Sequence, residues 1–201
     1  MKKYKAAVIG CGKMGIEEKN FGKNVRPGTH AAALFAHRKI SLDGLADTSS
    51  KQLKVALGYY PHIQLFKSAE NLLKKLQPDI ISISTPPSSH SSLVKLAAIY
   101  KVKAIICEKP IANTVKDAES MIECCKKNGS LLFINHGRRF DPLLQSWASK
   151  VKKGIIGEIA QATCYSYNGL FNNGTHTIDL MRLFLGDINY VQAWTNKKTT
   201  K

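Results

Sequence analysis

Lys5-Ala6-Ala7-Val8-Ile9-Gly10-Cys11-Gly12-Lys13-Met14-Gly15 runs from a short apolar stretch straight into glycines spaced G-x-G-x-x-G. The apolar part reads as a strand. Each glycine that follows has a separate physical role, since Gly10 permits a tight turn, Gly12 lets the backbone approach a pyrophosphate, and Gly15 allows a helix to pack closely on the strand. The helix N-terminus behind them presents unpaired N–H groups and a positive dipole end to phosphate. Alone the motif is weak evidence, but its place directly after a first strand makes it a dinucleotide fingerprint. Gly10, Gly12, Lys13, Met14 and Gly15 are therefore candidate cofactor-binding residues.

The fingerprint requires an acid at the end of the second strand, about 20 residues further on, to bond ribose hydroxyls. Ile40-Ser41-Leu42-Asp43-Gly44-Leu45-Ala46-Asp47 supplies it in Asp47, which arrives 32 residues after Gly15. The excess lies in residues 16–28, IEEKNFGKNVRPG, a polar segment that interrupts a helical pattern resumed at Thr29-His30-Ala31-Ala32-Ala33-Leu34. That insertion is either a surface loop or a lid carrying Lys19, Lys23 and Arg26 over the site. Asp47 favours NAD, because its charge opposes the extra phosphate of NADP. Ser49, Ser50 and Lys51 keep NADP open.

Further along, helical and apolar stretches alternate. A helix is expected from about Ser49 to Leu57, an extended piece at residues 63–66, a helix over 68–76 and a strand over 79–84. The strand runs into Thr85-Pro86-Pro87-Ser88-Ser89-His90, where Ser88 or Ser89 is expected to cap the next helix. Ala104-Ile105-Ile106-Cys107-Glu108-Lys109-Pro110-Ile111-Ala112 is a buried strand that stops on an acid, a base and a proline. The carboxyl ends of such strands are where open α/β sheets bind ligands. A helix from Thr114 to Lys127, ended by Asn128-Gly129, precedes a strand over 130–135 and then His136-Gly137-Arg138-Arg139-Phe140. The alternation predicts an α/β fold with a Rossmann-type, doubly wound parallel sheet over residues 1–135. Residues 136–201 are expected to form an incomplete α+β domain for substrate binding or oligomerisation.

Composition narrows the function classes. The 201 residues are 44% hydrophobic, enough for a core, and no apolar run approaches a membrane span. Five cysteines (Cys11, Cys107, Cys124, Cys125, Cys164) show neither CxxC pairing nor metal-ligand spacing, so no metal is expected and a reducing, cytoplasmic location is the simpler reading. Thirty basic against 14 acidic residues leave a net charge of +16. These are mostly scattered lysines without a basic helix, zinc finger or aromatic platform, which argues against a nucleic-acid partner and for solvated side chains or attraction of anionic small molecules.

Taken together the motifs resemble the glucose-fructose oxidoreductase, inositol dehydrogenase and rhizopine-catabolism family, Gfo/Idh/MocA. The resembling pieces are Gly10 to Gly15, Asp47, Thr85-Pro86-Pro87 with His90, Glu108-Lys109-Pro110, Arg138-Arg139-Phe140, Gly154-Ile155-Ile156-Gly157-Glu158-Ile159, and Gly174-Thr175-His176-Thr177-Ile178-Asp179-Leu180. The resemblance implies an NAD(P)-dependent oxidoreductase acting on a hydroxyl or ketone of a sugar, inositol or nucleotide sugar. It places the family's lysine on Lys109 and its histidine on His176, as catalytic residues. It also puts Thr85, Pro86, His90, Glu108 and Arg138 at the cofactor. Oxidising a secondary alcohol needs a hydride acceptor, a base for the hydroxyl proton and a cation near the oxygen, which Lys109 and His176 can divide between them.

Four residues before His176 many members carry an aspartate, where this chain has Asn172. On a helix that spacing sets both side chains on one face, so Asn172 could bond substrate but could not act as a base. Asp179 reads as support for the same helix, Tyr165 and Tyr167 as one face of a strand, and His30, His37 and His62 as surface or capping residues. The family's second domain holds a large, mostly antiparallel sheet, for which this chain offers two strands, near Glu158 to Tyr167 and Ile188 to Thr195. The chain is thus expected to be a truncated member, forming a homo-oligomer only if that sheet is completed. A non-catalytic dinucleotide-binding module is the alternative function.

Overall fold

The computed structural model describes residues 3–17 and 27–194. The chain divides into two compact units, Met1–Asn135 and His136–Lys201.

The first unit is built on six parallel strands: β1 (Tyr4–Ile9), β2 (Ile40–Ala46), β3 (Gln64–Phe66), β4 (Ile80–Ile83), β5 (Ala104–Glu108) and β6 (Leu131–Asn135), in the order β3-β2-β1-β4-β5-β6. The order reverses between β1 and β4, which opens a crevice at their carboxyl ends. Alternation along each strand decides which side is buried where. Ala6 and Val8 join one core beneath α1 (His30–Ala36) and α2 (Ser50–Tyr59), whereas Ala7 and Ile9 join a second beneath α3 (Ala69–Leu76), α4 (His90–Ile99) and α5 (Val115–Asn128). Ile81, Ile83, Ile105 and Cys107 belong to the second core, so the run at Ala104-Ile105-Ile106-Cys107 is a central strand as its sequence predicts.

Local signals start and stop these helices. Thr29, Ser49, Ser68 and Thr114 each accept a backbone N–H at an N-cap, and Gly129, at a φ of 73°, ends α5. Ser89 differs from its expected role. A short 3-10 turn, Pro87–Ser89, leads into α4, and the Ser89 hydroxyl turns back to hydrogen-bond with Thr85 Oγ1 and the Pro86 carbonyl instead of capping.

The insertion begins later than the sequence suggests. Ile16 is fully buried, and its N–H donates to the Gly12 carbonyl as in a first helical turn. The N–H groups of His30 and Ala31 then donate to the carbonyls of Met14 and Gly15, completing that turn's pattern across the break. His30 therefore occupies the register position that would otherwise follow Ile16 by two residues. The interruption spans residues 17–28, and without it Asp47 stands about 20 residues beyond Gly15, the spacing the fold requires. Lys19, Lys23 and Arg26, the expected lid cations, lie outside the described residues.

In the second unit α6 (Pro142–Lys152) starts at Asp141, whose carboxylate accepts the N–H groups of Leu143 and Leu144, with Pro142 in the first turn. A π-helical turn, Leu170–Gly174, leads into α7 (Thr175–Leu185). The strands expected over residues 158–167 and 188–195 are a correction: residues 158–167 and 188–194 form no strand. A ladder needs a neighbour for every second backbone N–H and C=O, and two lone segments are marginal even when the side chains alternate well.

Candidate active site at the sheet crevice

A cavity of about 650 Å³ opens at the crevice, walled by Gly10 and Gly12 of the glycine loop, Asp47 and Thr48 after β2, Lys67 to Glu70, and Ser84, Thr85 and Pro86 after β4. Two of the glycines are required sterically. Gly10 has a φ of +100°, and a Cβ there would stand 2.8 Å from the Ser84 carbonyl carbon; one on Gly15 would stand 2.0 Å from the Gly10 oxygen. A Cβ on Gly12 meets nothing within 4 Å, so the loop leaves room beside its backbone for an approaching group. Lys13 and Met14 complete the loop at the surface.

Asp47 ties this loop to β2. One carboxylate oxygen accepts the Cys11 N–H at 2.7 Å and the other the Ser49 N–H at 2.8 Å, which leaves lone pairs for ribose hydroxyls. Burial and the Asp47 charge push the Cys11 thiol up to about 12, so it is a packing group with no thiolate at neutral pH. These residues fit the adenosine and pyrophosphate part of a dinucleotide in shape, charge and donor set.

Lys109, half-buried, follows directly on β5, and the Lys109–Pro110 peptide is cis. Glu108 does not face the cofactor cavity as expected. It is buried, with Oε1 2.8 Å from His30 Nε2 and 2.7 Å from Asn135 Nδ2, while Oε2 accepts the Lys109 N–H at 3.3 Å. Burial pushes its carboxyl upward, but the bonds from His30 and Asn135 outweigh that and hold it below the ordinary carboxylate range. His30 Nδ1 lies 2.6 Å from Ser82 Oγ, so one imidazole links α1, β4 and β5. Surface or capping was the expected role for His30. The insertion hid the alternative, since only after residues 17–28 are set aside does His30 fall one helical turn behind the glycine loop, over the strand ends.

His90 also departs from its expected place at the cofactor. It is fully buried, with Nδ1 2.9 Å from the Pro110 carbonyl and Nε2 2.9 Å from the Thr85 carbonyl. Thr85 and Pro86 do line the cavity, as do Thr48, Gln52, Lys67 and Glu70, which carry no motif and could not be singled out from sequence.

The second unit carries the remaining candidates. His176 sits in the first turn of α7, and its ring meets that of His136 edge to face at 5.6 Å. Asn172 belongs to the preceding π-helical turn, and its carbonyl accepts the Thr175 hydroxyl. Asp179 is gripped by Arg139, whose guanidinium bonds both carboxylate oxygens and the Asp179 carbonyl, in keeping with a supporting role. Arg138 is exposed.

Comparison with known proteins agrees with this architecture. The sequence model of an oxidoreductase family with an NAD-binding Rossmann fold, GFO_IDH_MocA, matches residues 4–136. D-apiose dehydrogenase of Paraburkholderia graminis is 30% identical across 98% of this chain and 54% of its own length. Myo-inositol 2-dehydrogenase of Thermotoga maritima is 29% identical across 75% of this chain and 41% of its own. The chain thus spans about half the length of the curated relatives it matches. Among solved structures, an oxidoreductase from Agrobacterium radiobacter in complex with NAD+, L-tartaric acid and magnesium superposes with a TM-score of 0.76 at 24% identity, covering 93% of this chain and 56% of that one. The WlbA dehydrogenase of Bordetella pertussis, in complex with NADH and UDP-GlcNAcA, gives 0.74 at 21% identity, covering 92% and 56%. At these identities the two superpositions speak to the fold.

Proposed function

The chain belongs to the GFO_IDH_MocA oxidoreductase family, and from that membership we propose that it serves an NAD-dependent dehydrogenase acting on the CH–OH group of a sugar, inositol or nucleotide sugar. The observation that carries the reading is the cavity at the strand-order reversal, bounded by Gly10, Gly12, Asp47 and Thr85, with Lys109 at the end of the neighbouring β5. NAD supplies the hydride acceptor when bound. Gly10 and Gly12 admit its pyrophosphate, Asp47 accepts from the ribose hydroxyls, and the Asp47 charge disfavours a 2′-phosphate, so NAD is favoured over NADP.

Lys109 holds the substrate oxygen and takes part in moving its proton, with the ammonium countering charge on that oxygen as the C–H bond is broken. His176 is the second proton-handling group, and Asn172 a hydrogen-bonding residue for substrate. Apiose, inositol and nucleotide sugars enter the substrate panel because relatives and structural neighbours carry those names.

The test is NAD+ titration by calorimetry followed by NADH formation across that panel. Lys109→Ala should keep NAD+ affinity within about twofold while lowering turnover about a hundredfold or more; turnover that survives this change sinks the assignment. A non-catalytic dinucleotide-binding module is favoured by one observation, the absence of strand structure in residues 158–167 and 188–194. It predicts NAD+ binding without NADH from any member of the panel.

A further inference from the structure

His90 is the one fully buried histidine of the first unit's described residues, and it touches two segments that the proposed chemistry keeps separate. Its Nε2 meets the carbonyl of Thr85, a wall of the cofactor cavity, and its Nδ1 meets the carbonyl of Pro110, the residue after Lys109. Both contacts are 2.9 Å, and both partners can only accept. The neighbouring Ser89 fastens the same wall, with its hydroxyl 2.7 Å from Thr85 Oγ1 and 2.8 Å from the Pro86 carbonyl. The start of α4 therefore holds the cavity wall by two side chains and reaches the Lys109–Pro110 turn by one.

His90 is a polar ring at zero exposure. A phenylalanine would fill the same space but leave both backbone carbonyls without a donor from residue 90, and a surface histidine would not be enclosed. A neutral ring donates to one of the two carbonyls and a protonated ring to both. In either form the ring links the cavity wall at Thr85 to Pro110, the residue after Lys109.

We propose that His90 is a positioning residue which fixes the Lys109–Pro110 turn against the Thr85–Pro86 wall, so that cofactor and Lys109 are held to one another through the start of α4. This rests on the dehydrogenase reading for its purpose, but not for its geometry. The geometry predicts that Lys109 and the cofactor cavity both feel the loss of one side chain that contacts neither substrate nor cofactor.

The experiment uses the full chain with three forms: wild type, His90→Gln, which keeps a side-chain N–H donor group, and His90→Phe, which keeps none. The rate of reductive methylation of Lys109 is read by mass spectrometry against exposed Lys101 and Lys116 in the same molecule, after thermal melting has shown which forms fold. His90→Phe should change the Lys109 rate about tenfold relative to those controls, with His90→Gln intermediate. NAD+ affinity should weaken in the same order, because Thr85 is released as well. An unchanged Lys109 rate in a folded variant overturns the proposal. If His90→Phe does not fold, His90→Gln alone decides it by the same reading. Failure of wild type to bind NAD+ defeats the dehydrogenase reading instead, and the Lys109 rates still judge His90.

Discussion

The two units satisfy their backbones differently. In the first, six strands exchange hydrogen bonds with neighbours, and the strand ends are closed by side chains: Asp47 on Cys11, Glu108 on Lys109, His90 on Thr85 and Pro110. In the second, α6 and α7 bond internally, while residues 158–167 carry strand-like alternation with no strand beside them among the described residues. Tyr165 is 94% exposed, whereas Ile81 and Ile105 are fully enclosed. A strand is thus a property of a sheet, and alternation specifies a face only when neighbours exist to form one.

Substitutions can overturn that contrast, and the largest effect is expected at the glycine loop. Gly15→Ala forces a Cβ to within 2.0 Å of the Gly10 carbonyl oxygen, so the first unit should lose about 4 kcal/mol or fail to fold. Urea unfolding reads this, and a soluble alanine variant of wild-type stability and NAD+ affinity would show the close approach to be wrong.

Next in size is Leu73→Ala, at a fully buried position of α3, expected to cost about 2–5 kcal/mol. Hydrogen exchange should show the loss in β1, β4 and β5 rather than spread evenly through α6 and α7.

Glu108→Gln tests the polar closure, with an expected cost near neutral pH of about 1–3 kcal/mol. Its pH dependence has a definite sign. The folded carboxyl is held below its ordinary value of 4.5, so its stabilisation is complete above that value and fades as pH falls through the lower folded one. Melting curves of wild type and Glu108→Gln should therefore converge on acidification below 4.5; a gap that widens there contradicts the His30 and Asn135 bonds.

Thr114→Ala should remove about 1 kcal/mol by deleting the cap of α5. Smallest of all, Tyr165→Ser should stay within about 0.5 kcal/mol. A larger loss at Tyr165 would mean that residues 158–167 are packed after all, and the contrast between the units would narrow.

The glycine loop, Asp47, the buried run before Glu108 and the Thr114 cap could all be read before any coordinates, because each is a local pattern with a local cause. Among the described residues no helix is long and apolar enough to cross a membrane, a feature that is likewise written in composition. His30 and His90 were not legible in this way. Their partners lie 78 residues away at Glu108 and 20 away at Pro110, and the insertion displaced His30 from the register that would have announced it. The cavity walls at Lys67 to Glu70 were hidden for the same reason.

The parallel α/β sheet, the dinucleotide loop and the family were thus written in the chain, since strand periodicity, glycine sterics and an acid at a set distance act along it. Contacts across the fold settled the rest: Glu108 and His90 turn inward to hold the strand ends, and residues 158–167 and 188–194 form no strand. Each of those outcomes depends on which polar groups meet across the fold, and such meetings are set by packing between distant segments, which no local pattern encodes.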